Sequence, residues 1–543
     1  MNNVLPENRN SPALRLAVFL TPALIMSSPL VSFLKFQGYP LLTAEVAYAA
    51  GGIFVLSLGL GALARWCGRA GAAVAIAVAI ILFVDFQFEA RLTYLAVGFV
   101  LLLVLGWFAA RVLLPILAVV FAVVLLSTLV LPAQLHKADV AFASERDIRT
   151  DLVPVLHIIL DEQIGVEGIE ASTVWEQRAR EDLKGFYLEN GFRLFGGAYS
   201  NYAETFNSIP NVLNDTLSTE SWQYVSAGAD GLSAVGENRH LRQYSENGYG
   251  LRIYQSKYFN FCEAPGLTVL SCKSYNYTGL DNLDKLTQKA LIRAELILAR
   301  FLNRSRIYGI GRSVYQTLAA RGFGNLRRLE NNNYAPLASY PFFDVLEKDL
   351  AKATGGQVYF AHLLIPHRPF MFNADCDIVL DHAYDSLDRQ SSEWLVEYRK
   401  AYYEQVGCTT RLMRGLFGSL RRSGLYDRLT IIVHGDHGSR IGPHDPTPKN
   451  WELFTPSDLR AHYSTLFAVK APGMKGGYDD RLFSVRRLLG AVVNQAGDLF
   501  APSPDDEHIV ILRAEKGETM EMKRLPDFRV KPVQTDTPAA TGG

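Results

Sequence analysis

At 543 residues the chain is too long for one ordinary core, and length alone asks for two or more domains. Lysine plus arginine number 54 and aspartate plus glutamate 54, so the formal net charge is zero. That balance excludes the basic face a nucleic-acid partner requires.

Charge is unevenly spread. Residues 12–132 are almost free of it, whereas the remainder carries charges throughout, with frequent Gly, Pro and Asn turns. A membrane-spanning helix needs about 20 mainly apolar residues, because each backbone polar group must pair within the segment. Five such segments are expected, at 13–34, 42–64, 70–86, 92–110 and 112–132. The third is short, and only a tight turn at Arg111 divides the last two. The first is not a simple signal peptide, since no clear small-residue cleavage site follows it and further spans do.

Basic residues alternate between loops. Arg9 and Arg15 flank the start, Arg65 and Arg69 lie between spans two and three, and Arg111 lies between spans four and five. The other loops carry Lys35 on one side, and Asp85, Glu89 and Arg91 on the other. The positive-inside rule then places the N-terminus inside, and five spans place everything after residue 133 outside. Four or six spans would invert that arrangement.

Residues 133–150 read as a polar linker. From 152 onward, strand-like runs alternate with helical ones: L-V-P-V-L-H-I-I-L (152–160), Q-V-Y-F-A-H-L-L (357–364) and L-T-I-I-V-H-G (429–435). A long amphipathic helix at 393–423 precedes the last. This alternation predicts an α/β sandwich around a largely parallel central sheet, with ligands at the carboxyl ends of its strands. A basic helical insert at 282–325 carries Arg293, Arg300, Arg304, Arg306, Arg312 and Arg321. It reads as a solvated face or as a surface against anionic headgroups. The Pro/Thr/Gly-rich end, 525–543, reads as disordered.

Cys67 lies in the apolar region, and Cys262, Cys272, Cys376 and Cys408 follow it. Four cysteines permit two disulfides in an oxidising compartment, and Cys262 and Cys272 flank a Pro-Gly turn suited to a small closed loop. Four free thiols are the alternative. No C-x-x-C zinc pattern is present.

Three expected strand ends carry polar clusters: Asp161-Glu162, Asp436-His437-Gly438, and His362 with His367 between Pro366 and Pro369. T-F-N-S-I-P (205–210) lies between them in sequence. An acidic pair after a strand is commonly a turn or helix cap, so each cluster says little alone. Together they suit one divalent metal: carboxylates and a neutral imidazole fit Zn²⁺ or Mn²⁺ first, with Mg²⁺ or Ca²⁺ as alternatives. A metal activates a Thr hydroxyl that is otherwise a poor nucleophile. If Thr205 opens a helix, its N–H groups also receive an anionic ester. His367 is placed to hold substrate oxygens or protonate a leaving group. His157 and His434 read as core residues of their strands.

This constellation resembles the alkaline phosphatase superfamily in its sulfatase-like branch, and within it the membrane-bound phosphoethanolamine and phosphoglycerol transferases. Asp161 matches the family's first acidic ligand and Glu162 its second acidic position. Thr205, Ser208 and Pro210 match T-x-x-S-x-P; His362, His367 and Pro369 match H-x-x-x-x-H-x-P; Asp436 and His437 match D-H-G. The segment 462–473 looks like the family's final core strand. Thr205 stands where sulfatases carry the Cys or Ser matured to formylglycine, which argues against a sulfatase of that kind. The resemblance implies metal ligation by Asp161, Glu162, Thr205, Asp436 and His437, catalysis by Thr205 and His367, and substrate contacts from His362, His367, Ser208 and His444, with His462 a weaker candidate. It further implies a multi-pass protein of the bacterial inner membrane, its catalytic domain (151–524) facing the periplasm. Such a protein moves a phospho-group from a phospholipid donor, through a phospho-threonine, to an envelope glycan or lipid. A phosphodiesterase or sulfuric ester hydrolase is the alternative, and an inactive scaffold of the same fold the third reading.

Overall fold

The computed structural model describes residues 12–88, 90–130, 143–228, 233–276, 280, 283–285, 289–319, 335–379, 382–389, 391–494 and 508–529. It divides into two compact units: Met1–Lys137 with Thr278–Asn332, and Ala138–Tyr277 with Asn333–Gly543. The chain therefore enters the second unit, leaves it for about fifty residues, and re-enters it.

The first unit begins with α1 (Pro12–Phe36), α2 (Ala44–Trp66), α3 (Gly68–Phe88) and α4 (Leu92–Val130). All four are long and apolar enough to cross a membrane. Four helices replace the five expected, because the segments at 92–110 and 112–132 form one hydrogen-bonded element of 39 residues. Arg111 is followed by strong helix formers, and no glycine or proline stands between Trp107 and Leu114 to end the helix. The element is not straight: Gly98 lies beside Ile81 and Phe121 stacks edge-on against Phe83, ring centroids 4.8 Å apart, so it bends back between them, near Pro115, which lacks the N–H that would bond to Arg111 O. Because α1 and α3 end level, with Gln87 3.4 Å from Ser32, the two halves run in opposite directions, as the two expected segments would. Its neighbours reverse along its length. A Cβ at Gly98 would meet Ile81 and one at Gly106 would meet Ala73, so the first half runs antiparallel to α3. Thr21 Oγ1 donates to Leu114 O at 2.9 Å and Lys35 Nζ to Leu129 O at 3.1 Å, so the second half runs parallel to α1.

The second unit contributes α5 (Thr205–Asn214). The first unit then adds α6 (Ala290–Leu302) and α7 (Arg306–Ala319), and the second closes with α8 (Ser392–Arg422) among its later helices. The insert expected within the catalytic domain thus groups with the apolar helices. The cause is specific. Glu45 on α2 pairs with Arg293 at 2.9 Å, and Asp85 on α3 accepts from Ser305 Oγ at 2.5 Å and from the backbone N–H groups of Arg306 and Ile307 at 3.1 Å each. Phe301 stacks on Phe86 with ring centroids 4.3 Å apart. Acids this deep in apolar helices need partners, and the insert supplies them. Residues 320–325 of the expected insert lie outside the described residues.

The second unit is built on an eight-stranded sheet: β1 (Val155–Leu160), β2 (Arg193–Phe195), β3 (Gly250–Ser256), β4 (Val269–Tyr275), β5 (Gln357–Leu363), β6 (Thr430–Gly435), β7 (Phe467–Lys470) and β8 (Gly477–Asp479). Their order is β8-β2-β7-β6-β1-β5-β3-β4. The run β6-β1-β5-β3-β4 is parallel and β7 is antiparallel to both its neighbours. Every residue of β1 and β5 is buried, as expected for central parallel strands covered on both faces. One covering core joins Ile159, Phe360 and Ile432 of the sheet to Ile209, Val212 and Leu213 of α5. Helix α8 packs through Phe417, which stacks on Phe186 and Phe192.

Register fixes the site. Leu160 pairs with Leu363 on one side and Gly435 on the other, so β1, β5 and β6 end level. Of the expected linker, 131–142 lies outside the described residues. Of the expected disordered end, Leu525 and Phe528 are buried, because they pack with Tyr199, Leu459 and Tyr463; 530–543 lies outside the described residues.

Candidate active site and metal centre

Asp161 follows the last residue of β1, and Asp436 and His437 follow the last residue of β6. Thr205 is the first residue of α5. Its hydroxyl oxygen lies 3.4 Å from Asp161 Oδ2 and 3.3 Å from His437 Nε2. His437 Nε2 is 3.2 Å from Asp436 Oδ2 and 3.9 Å from Asp161 Oδ1. Four side chains from three distant segments thus converge, all buried. The dipole of α5 and its first-turn N–H groups face the same point, a favourable place for negative charge.

The local backbone explains each placement. Gly438 has no alternative, since a Cβ there would meet Ala461 O at 2.5 Å. Glu162 and Arg440 hold left-handed backbone, with φ of 63° and 54°, a conformation that costs a non-glycine residue about 1 kcal/mol. Tyr402 braces the first of these turns: its hydroxyl donates to Glu162 O at 2.6 Å and accepts from Ile164 N–H at 2.9 Å.

The electrostatics favour a cation. Asp161 Oδ1 and Asp436 Oδ2 are buried and accept no hydrogen bond. Burial first, then the charge of Asp436, hold the Asp161 carboxyl well above its ordinary range. Burial would also push Asp436 up, but His437, His362 and the Glu162 N–H, donating at 3.0 Å, pull it below. Burial lowers His437 to about 4, so its imidazole is neutral at neutral pH. Its Nδ1–H donates to Gly438 O at 2.8 Å, which leaves the Nε2 lone pair pointing at the cluster. Ligand atoms of Asp161, Glu162 and His437 lie within 4.8 Å of one another. The donor set, two carboxylates, an imidazole and a hydroxyl, fits one divalent metal.

Glu162 has a second allegiance. Its Oε1 is 3.0 Å from Arg440 Nε and 3.6 Å from His367 Nε2, and its Oε2 accepts the Arg368 N–H at 3.1 Å. Burial would raise its pKa, yet His367, Arg440 and Arg368 pull it below the ordinary value. It is as much the anchor of a cationic wall as a ligand.

Two expected substrate contacts are used elsewhere. His362 is fully buried, with Nε2 3.1 Å from Asp161 Oδ2, and so orients that carboxylate. Ser208 is also fully buried; its hydroxyl donates to Asp436 O and lies 2.9 Å from Ser200 Oγ, locking α5 to the end of β6. His367 does face the cluster through Glu162, on a segment carrying cis peptide bonds at Ile365–Pro366 and Arg368–Pro369. His444 is held by Asp458, which lies 3.1 Å from its Nδ1 and accepts its backbone N–H at 3.0 Å; among the described residues it joins no contact with Thr205. His462 Nε2 donates to His444 O at 2.6 Å and serves the same loop. His157 and His434 pair at 2.8 Å inside the sheet, as core residues.

Arg440 escapes sequence reasoning. It is half-buried, with 17% of its side chain exposed, and its Nη2 donates to His437 Nε2 at 2.9 Å. Its only signal is position, three residues past His437.

No family model matches the chain, and no curated protein sequence matches it. Solved structures do, at low identity. A protein in the alkaline phosphatase superfamily from Vibrio parahaemolyticus is 13% identical, with a TM-score of 0.39, over 70% of this chain and 84% of that one. The phosphonate monoester hydrolase of Agrobacterium radiobacter is 12% identical, TM-score 0.39, over 67% and 82%. The C-terminal periplasmic domain of EcEptC from Escherichia coli, in complex with Zn, is 10% identical, TM-score 0.36, over 64% and 84%.

Proposed function

We propose that the protein is a membrane-anchored, metal-dependent enzyme that transfers a phospho-group, phosphoethanolamine or phosphoglycerol, from a phospholipid to an envelope glycan or lipid through a phospho-threonine at Thr205. The observation that carries this reading is the placement of the Thr205 hydroxyl at the start of α5, within 3.4 Å of Asp161 and His437.

Asp161, Asp436, His437 and Thr205 would hold the metal, with Glu162 at its edge. When bound, the metal lowers the pKa of the Thr205 hydroxyl and offsets the charge of the ester oxygens. Thr205 Oγ attacks phosphorus as its proton passes to the Asp161 carboxylate, the acceptor 3.4 Å away; the bond from phosphorus to the diacylglycerol oxygen breaks, and that oxygen takes a proton. His367, 3.6 Å from Glu162, is the residue that supplies it. An acceptor hydroxyl then attacks the phospho-threonine and restores Thr205. The α5 N-terminus and Arg440 favour the anionic group throughout.

Two disulfides, Cys262–Cys272 and Cys376–Cys408, both in the α/β unit, support a location on the periplasmic side of the inner membrane, since such bonds persist in oxidising compartments. Cys67, in the apolar unit, is free.

The hydrolase reading uses the same residues with water as acceptor. Purified full-length protein in vesicles of phosphatidylethanolamine or phosphatidylglycerol separates them. A headgroup-sized mass on Thr205, discharged faster by added acceptor glycan than by water, is expected. Discharge to water alone assigns a hydrolase, and unchanged turnover in Thr205→Ala rejects the nucleophile.

A further inference from the structure

Helix α7 is not explained by the protein around it. Its N-terminus is held by Asp85, but beyond the first turn a Cβ at Gly309 or Gly311 would meet nothing within 4 Å. Ile307, Ile310 and Val314 are 36%, 48% and 54% exposed. Spacings of three and four residues place them on one stripe. A 14-residue helix with two interior glycines is short of the length that is stable alone in water, and each glycine costs about 1 kcal/mol relative to alanine. Among the described residues nothing covers that stripe.

The attachment points identify it. Phe33 lies near the end of α1, Glu45 near the start of α2, and Asp85 near the end of α3. All three meet α6 or the start of α7 (Phe301, Arg293, Ser305), so the insert sits at one rim of the apolar bundle. That bundle exposes Phe54, Leu101 and Phe108 at 51%, 63% and 83%, a surface suited to lipid. Helix α7 starts at that rim, where Asp85 accepts the backbone N–H groups of Arg306 and Ile307, and Arg306 is exposed at the polar entry to the helix.

We infer that α7 lies in the plane of the bilayer surface with Ile307, Ile310 and Val314 in the boundary between headgroups and acyl chains, a second membrane attachment that interrupts the α/β unit between β4 and β5. This rests on the reading of α1–α4 as a membrane anchor. Its occupant is lipid, because the stripe is narrow and the helix that carries it is fastened at the rim of a bundle whose exposed apolar side chains suit a bilayer.

The test uses the full-length chain with Cys67→Ser, reconstituted in phosphatidylethanolamine–phosphatidylglycerol vesicles. Ile310→Cys carries an environment-sensitive fluorophore, and Val104→Cys on α4 serves as the reference. Acyl-chain nitroxide lipids should quench both labels by roughly twofold or more, and aqueous iodide should quench neither strongly. If position 104 is quenched by lipid while position 310 answers only to iodide, the inference fails and the anchor stands. Position 310 answering to neither quencher means that protein covers the stripe, which also overturns it. If position 104 escapes the lipid nitroxide, the anchor reading falls and the inference with it.

Discussion

Arg440 donates to the Nε2 lone pair of His437 across 2.9 Å, the same lone pair that a cation would take. One lone pair cannot serve both. Binding a metal at His437 therefore breaks this hydrogen bond while Glu162 still holds the guanidinium at Nε, 3.0 Å away.

Arg440→Gln removes both the competitor and a positive charge beside the cluster. Metal affinity should rise by about tenfold, a gain of ~1.4 kcal/mol from a lost charge repulsion, while turnover falls. Titration with Zn²⁺ or Mn²⁺ against a competing chelator reads the first effect. Unchanged or weaker affinity shows that Arg440 does not compete for His437.

Glu162 is fully buried in its pair with Arg440, so removing one partner should cost about 3 kcal/mol or more by leaving the other charge alone. Glu162→Gln combined with Arg440→Gln should cost less than the two single changes added together. Denaturant melts of the four proteins measure this; additive costs would mean that the pair is not coupled.

Thr205→Ala should lower turnover more than about 10³-fold yet change stability by about 1 kcal/mol or less, since its hydroxyl contacts are long. Thr205→Ser, which keeps the hydroxyl, should retain measurable activity. A serine variant as inactive as the alanine one would point to a packing role for the threonine methyl.

Metal should stabilise the protein more as pH rises. The Asp161 carboxyl is held above its ordinary value by burial and by Asp436. Such a group supports the metal-free fold fully below its ordinary pKa, and that support is lost as pH rises through the raised value. A bound cation favours the ionised form instead. The difference in Tm between metal-loaded and chelator-treated protein should be larger near pH ~7.5 than near pH ~5. Equal differences would show that Asp161 is ionised in the metal-free fold.

Replacing Cys376 and Cys408 together by alanine should cost about 2–4 kcal/mol, since the cross-link closes a loop of 32 residues. Thiol labelling of protein taken directly from membranes should modify Cys67 alone. Labelling at Cys262 or Cys408 would argue against an oxidising compartment.

The site was legible where chemistry sits on regular structure. Buried strands at 155–160, 357–363 and 430–435 read directly from β-branched runs, and Asp161, Asp436 and His437 followed from their ends. Pair contacts were not legible. Periodicity says nothing about His362 turning beneath Asp161, or Ser208 bonding to the Asp436 carbonyl, because both depend on how α5 and β5 meet β1 and β6. Arg440 looked like any loop arginine. Arg111 looked like a break because charge is rare in apolar helices; the helical hydrogen bonding runs on past it, and the interruption belongs to Pro115, which lacks the N–H that would bond to Arg111 O. Asp85 served only as loop charge and Glu45 not at all, although a buried acid in an apolar helix calls for a partner, here supplied some 220 and 248 residues later.

The same separation has a cost in time. β1 lies inside its parallel run, between β6 and β5, and both these neighbours are encoded far downstream; the bond from Glu162 N–H to Asp436 spans 274 residues. At the pace of synthesis, about 5–20 residues per second, roughly 15–55 s pass between the emergence of the two. Until β5 is made β1 is a mainly apolar strand with two open edges, and its β6 edge stays open longer still, while the apolar helices that precede it in the chain are already made. The first half of the metal cluster to be made is the half that waits longest, and the chain segment most in need of a chaperone is the one that carries Asp161.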